Sequence, residues 1–130
     1  MRTNQKGFTL IELVVVIAIL GVLTCIAVPN VTGAMAKARE GADRATALTI
    51  ANAAKQYIIE NNVSPGEGAV DENHKLVKDQ YLESVPKPQN NASATFFLDV
   101  SGDLDKPVIK VGYGSGGDTL YPYDDEKKSK

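Results

Sequence analysis

The apolar and polar positions divide the chain into two unlike parts. Residues 8–28, FTLIELVVVIAILGVLTCIAV, are 21 residues with a single charge, Glu12. As a helix rising about 1.5 Å per residue, this run reaches roughly 31 Å, the thickness of a bilayer's hydrocarbon layer. Val14, Val15, Val16, Ile17, Ile19, Leu20, Val22 and Leu23 cover its whole circumference, so it must be surrounded by lipid or by other protein. Residues 29–61 then read as an amphipathic continuation of the same helix. They hold nine alanines, and Val31, Met35, Ala38, Ala42, Ala45, Ile50, Ala54, Tyr57 and Ile58 recur at spacings mostly of three and four. Tyr57, Ile58 and Ile59 are expected in a core. Pro29 lacks an N–H and clashes with the preceding turn, so a kink or local break is expected there, and Gly21 weakens the helix two turns earlier.

Helix gives way at Asn61-Asn62-Val63-Ser64-Pro65-Gly66, and residues 62–94 are expected to form a connecting loop with a short helix within 71–82, ahead of Pro86 and Pro88. Residues 95–100 and 107–111 alternate like strands around a turn at Ser101-Gly102-Asp103, and residues 119–121 offer a shorter third strand before Pro122. Residues 95–123 are thus assigned to an antiparallel sheet, and 124–130 to a charged, frayed tail. The expected fold class is α+β: a long N-terminal helix, with a transmembrane and an amphipathic half, packed on a small antiparallel sheet.

Composition excludes most chemistry. In 130 residues, 14 basic and 16 acidic side chains give a formal charge of −2, which gives no support to a nucleic-acid partner. One cysteine, Cys25, and one histidine, His74, cannot build an internal disulfide or a Cys/His metal cage. Gly112-Tyr113-Gly114-Ser115-Gly116-Gly117 has dinucleotide-loop spacing, but Pro122 follows too soon for the helix such a loop needs. Ser115 fails the nucleophile-elbow pattern because Tyr113 stands where the first glycine belongs. The aspartates at 99, 103, 105, 118, 124 and 125 lack the alternating ligands of an EF-hand and read as solvated turns. His74 reads as an exposed loop residue, and Asn30, Asn62 and Asn91 each begin an Asn-x-Ser/Thr triplet. No enzyme, cofactor or metal is expected.

Three uses of the N-terminus compete. A secretory signal would combine Arg2 and Lys6 with cleavage near Ala34-Met35-Ala36, yet the apolar run is longer than such signals and holds a carboxylate. A lipidation box at Val22-Leu23-Thr24-Cys25 would acylate Cys25. The third use rests on Lys6-Gly7-Phe8-Thr9-Leu10-Ile11-Glu12-Leu13, which resembles the start of the type IV pilin family, including the pseudopilins of secretion and DNA-uptake machines. A carboxylate inside a membrane segment costs on the order of 2.5 to 3.5 kcal/mol and marks a function and a partner. Glu12 lies four residues from Phe8, on the same helix face.

The resemblance implies a leader, 1–7, removed by a prepilin peptidase between Gly7 and Phe8, and methylation of the new Phe8 amine. It implies that Glu12 of an incoming subunit pairs with the Phe8 amine of its neighbour, and that 8–28 serves as membrane anchor and then as filament core. It also implies helical order that can loosen between Gly21 and Pro29. The implied partners are other pilin subunits, the peptidase/methylase and, indirectly, an assembly platform and its ATPase. The implied places are the cytoplasmic membrane for the precursor and the cell surface for the filament, with adhesion, surface motility or biofilm formation as its use. The lack of a C-terminal cysteine pair is similar to the disulfide-free pilins common in Gram-positive bacteria and to many pseudopilins.

Overall fold

A computed structural model describes residues 7–122. The remainder of the leader and the 124–130 tail, with Asp124 and Asp125, lie outside the described residues. The element order is α1 (Leu10–Asn61), β1 (Gly68–Ala69), α2 (Lys75–Lys78), β2 (Phe96–Ser101), β3 (Val108–Tyr113) and β4 (Thr119–Tyr121). The chain forms two compact units, Met1–Lys37 and Ala38–Lys130.

In the first unit the described chain is helical from Leu10 onward, and residues 7–37 are all exposed. Its apolar run is the one stretch among the described residues long and apolar enough to cross a membrane, and none of it is buried within the chain. No gap in the helix marks Gly21 or Pro29, so the local break allowed for at Pro29 does not occur. Pro29 still withholds the N–H that the Cys25 carbonyl would accept. Side chains bond to carbonyls on either side of it: Thr24 Oγ1 donates to Leu20 O at 2.7 Å, Asn30 Nδ2 to Ile26 O at 3.4 Å and Thr32 Oγ1 to Pro29 O at 2.9 Å.

The second unit holds the core. Its sheet is wholly antiparallel in the order β1-β2-β3-β4. Phe96 pairs with Tyr113, Leu98 with Val111 and Ser101 with Val108, while an irregularity between Val111 and Gly112 shifts the β4 register. Alternation along the strands turns Phe96, Leu98, Ile109, Val111 and Leu120 inward. Facing them from α1 are Ala47, Ile50, Ala51, Ala54, Tyr57 and Ile58, the alanines leaving room for the larger sheet side chains. Val70, Leu76 and Leu82 close the core from the connecting loop.

Several elements depart from expectation. The buried face of α1 begins at Asp43, and Ala38, Ala42 and Ala45 are exposed. Ile59 is 81% exposed, because Tyr57 and Ile58 take the inward direction and the next residue lies about 100° further round. The second helix is a single turn, since Asp79 caps it and Gln80 takes a positive φ of 62°. β1 was not anticipated at all: two residues of the loop pair with Phe97 and Leu98. The helix ends as expected, with Asn62 in the left-handed region at φ 51° and its N–H on Ile58 O.

Glycine is required where β3 turns into β4. A Cβ on Gly117 would lie 1.8 Å from the Tyr113 carbonyl oxygen, and one on Gly112 would lie 2.6 Å from that of Asp118. Gly41, inside α1, has nothing within 4 Å of its missing Cβ. Gly117→Ala is therefore expected to destabilise the second unit by about 1–3 kcal/mol, as other overpacked sites do. Gly41→Ala is expected to stabilise the helix by about 0.5–1 kcal/mol. Chemical denaturation of the full chain in detergent, followed by tyrosine near-UV circular dichroism, reads both.

Candidate functional site

The helix N-terminus gathers most of the residues singled out in the sequence. Thr9 is its cap: the Glu12 N–H donates to Thr9 Oγ1 at 3.3 Å, while Glu12 Oε2 accepts the Thr9 N–H at 2.8 Å and the Thr9 hydroxyl at 2.9 Å. This reciprocal pair is a capping box, in which a Thr and a Glu three residues on satisfy backbone donors that a helix start leaves open. It also places a negative side chain at the positive end of the helix dipole. Thr9 was missed in the sequence, although Thr-x-x-Glu ahead of an apolar run is the signal that finds it.

Gly7 and Phe8 precede the helix, and Phe8 is 87% exposed. No hydrogen bond joins Phe8 to Glu12; the carboxylate is engaged with Thr9 instead. A Cβ on Gly7 would meet nothing within 4 Å, so the fold itself makes no demand for glycine there. Gly21 is equally unhindered, and it and Pro29 lie on the same uninterrupted helix.

In the second unit a buried carboxylate fastens three elements. Asp43, with no exposed surface, accepts the Gln89 N–H at 2.6 Å on Oδ1, and the Asn90 N–H at 2.9 Å and the Tyr113 hydroxyl at 2.5 Å on Oδ2. It thereby joins α1 to the end of the connecting loop and to β3. Burial, and then the hydrogen bond to Asp43, push the Tyr113 phenol far above its usual pKa. Its ring stacks on Phe96 with centroids 6.0 Å apart. The adjacent Arg44 pairs with Glu40 at the favourable i, i+4 spacing.

Two tyrosines tie further segments to the helix. Tyr81 donates to Glu60 Oε2 at 2.6 Å, accepts from Asn61 Nδ2 at 2.9 Å, and meets Tyr57 edge to face at 5.1 Å. The Tyr81 bond, with help from Gln56, holds Glu60 below the usual carboxylate range. Lys55 Nζ donates to the Tyr121 hydroxyl at 2.8 Å and lies 5.3 Å from the ring centroid, joining α1 to β4.

The candidate chemistries elsewhere find little geometry. Among the described residues no three His, Cys, Asp or Glu side chains converge on a metal-sized position. Asp103 and Asp105 line an open depression with Asn62 and Lys106. The 112–117 glycine segment leads into β4, with no helix after it. Cys25 is exposed on α1.

Comparison with known proteins accords with this arrangement. Residues 2–28 match the family described as the prokaryotic N-terminal methylation motif. The chain is 31% identical over 129 residues to the type IV major fimbrial protein FimA of Dichelobacter nodosus, covering 92% of this chain and 74% of that protein. A fimbrial protein of the same organism is 30% identical over 125 residues, covering 89% and 71%. The type II secretion system core protein G of Vibrio cholerae is 37% identical over 88 residues, covering 67% of this chain and 53% of that protein. No solved structure gives a significant match. The chain belongs to the type IV pilin family.

The Asp43 cluster generates a stability prediction. Asp43→Ala strips the acceptor from three donors and is expected to cost about 3 kcal/mol or more, since each bond to a charged group contributes roughly 1.5–3 kcal/mol. Tyr113 titrates higher in the folded than in the unfolded chain, so its contribution is complete below about pH 10 and is lost as pH rises beyond it. Tyr113→Phe is expected to flatten the alkaline fall in stability, measured as denaturation midpoint against pH from 8 to 11.

Proposed function

We propose that this chain is a structural subunit of a type IV filament, processed between Gly7 and Phe8 by a prepilin peptidase, methylated on the Phe8 amine and polymerised from the cytoplasmic membrane into a surface fibre. The observation that carries the reading is the apolar segment at residues 8–28, helical from Leu10. Fourteen large apolar side chains stand exposed on it. At about 1.5 kcal/mol or more each, leaving them in water forgoes on the order of 20 kcal/mol, more than the whole stability of an ordinary domain. Lipid removes that cost before assembly and parallel helices of other copies remove it afterwards, so movement between the two costs little.

Glu12 supplies the polar event in this otherwise apolar exchange. Its carboxylate pairs with the Phe8 amine of a neighbouring subunit and sets the axial register. Gly7, for which the fold has no steric need, answers to the peptidase. Pro29, with Gly21 before it, provides a stretch where helical order can loosen on assembly. The assembly platform and its ATPase act on the subunit from the membrane side. The long coverage of FimA favours a surface fibre over a secretion or competence pseudopilus. The similarity to secretion protein G keeps the pseudopilus as the second reading, separated from the first by fibre length in electron micrographs.

The intact mass of the mature chain tests the processing step: it is expected to begin at methylated Phe8, and an acylated Cys25 would overturn the reading. Glu12→Ala is expected to abolish fibres on electron micrographs of cells with this chain as sole subunit. Membrane insertion and cleavage should persist, because a lost cap costs about 1 kcal/mol against a far larger apolar gain. Normal fibres from that variant would refute the charge pairing.

A further inference from the structure

His74, the chain's only histidine, is 8% exposed and holds the turn that its sequence position suggested was merely solvated. It is the N-cap of α2, in an extended conformation, and its Nδ1 accepts the Leu76 N–H at 3.3 Å. Its own carbonyl takes the Val77 and Lys78 N–H groups at 3.0 and 3.1 Å, and its N–H donates to Asp71 O at 3.1 Å. Leu76, fully buried, in turn accepts the Leu82 N–H at 2.8 Å, and Leu82 is itself in the core. The imidazole thus supplies the bond to Leu76 N–H, and backbone bonds supply the rest of the turn within residues 71–82.

An imidazole nitrogen accepts a hydrogen bond only while it carries no proton. With Nδ1 accepting, the neutral ring keeps its proton on Nε2. That nitrogen is buried without a hydrogen bond of good geometry, although the Gly66 backbone lies near enough to favour a proton. Protonating Nδ1 would set a donor against the Leu76 N–H and bury a cation. The charged groups facing the ring are the Asp71 carboxylate, which favours the cation, and the Lys75 ammonium, which opposes it. Burial outweighs them and holds the ring's pKa below 6.5.

We propose that His74 is an acid-operated catch on residues 71–82: the neutral ring keeps the turn closed over the core, and the imidazolium releases it, baring Leu76 and Leu82 while α1 and β2–β4 stay folded. Because the folded chain binds this proton less readily than the open one, closure is complete above about pH 6.5 and is lost as pH falls through the depressed value.

Hydrogen exchange of the full chain in detergent micelles from pH 7.5 to 5, corrected for intrinsic rates, tests the catch. Peptides within 71–82 are expected to lose protection by up to tenfold per pH unit below about 6.5, with the buried half of α1 and β2–β3 unchanged. His74→Asn puts Oδ1 where Nδ1 stands, an acceptor that does not titrate, and is expected to abolish the pH dependence. A flat response in the natural chain, or the same loss in His74→Asn, overturns the proposal. Should His74→Asn open the turn at every pH, the lone imidazole NMR signal of the natural chain decides: titration below 6.5 supports the catch, and titration at or above 6.5 refutes it.

Discussion

A helix that is apolar on every side has no stable position in water, and its single carboxylate has no comfortable position in lipid. These two demands meet within residues 8–28. The first is met by any apolar surroundings, which is why one segment suits both a membrane and the inside of a bundle of helices. The second is met locally in this structure, where Thr9 and Glu12 close a capping box at the helix start. The carboxylate is therefore engaged before any neighbour arrives. A pairing with another copy must compete with the Thr9 bonds or share the carboxylate with them.

The water-facing unit answers a different demand, that of holding a small sheet against one helix without a disulfide. Its apolar core is modest and rich in alanine, and polar fastenings supplement it. Asp43 binds three donors from two other segments, Tyr81 spans Glu60 and Asn61, and Lys55 reaches Tyr121. These bonds connect α1 to the loop and to strands β3 and β4, in a domain whose apolar core is small. A buried carboxylate as fully satisfied as that of Asp43 favours one packing over near alternatives.

Much of the architecture was legible because it rests on periodicity. The apolar run, the long helix, its end at Asn61 and the β2–β3 hairpin all follow from spacing and turn residues. What was not legible depends on contacts between distant positions. Asp43 reads as a polar residue on an alanine-rich helix until Gln89, Asn90 and Tyr113 arrive from 46, 47 and 70 residues away. β1 is too short to leave a pattern and exists only because Phe97 and Leu98 offer an unpaired edge. His74 sits in a polar run, so its burial is a tertiary fact. At the N-terminus the Thr-x-x-Glu signal of a capping box stands in the sequence at Thr9 and Glu12.

The two outermost strands, at two and three residues, have a bearing on crowding. An open sheet border invites any similar chain to extend it by main-chain pairing, and the invitation grows with the length of the border. A subunit that polymerises with others of its family is exposed to that hazard. Borders of two and three residues offer such pairing little purchase, which guards against amyloid-like stacking.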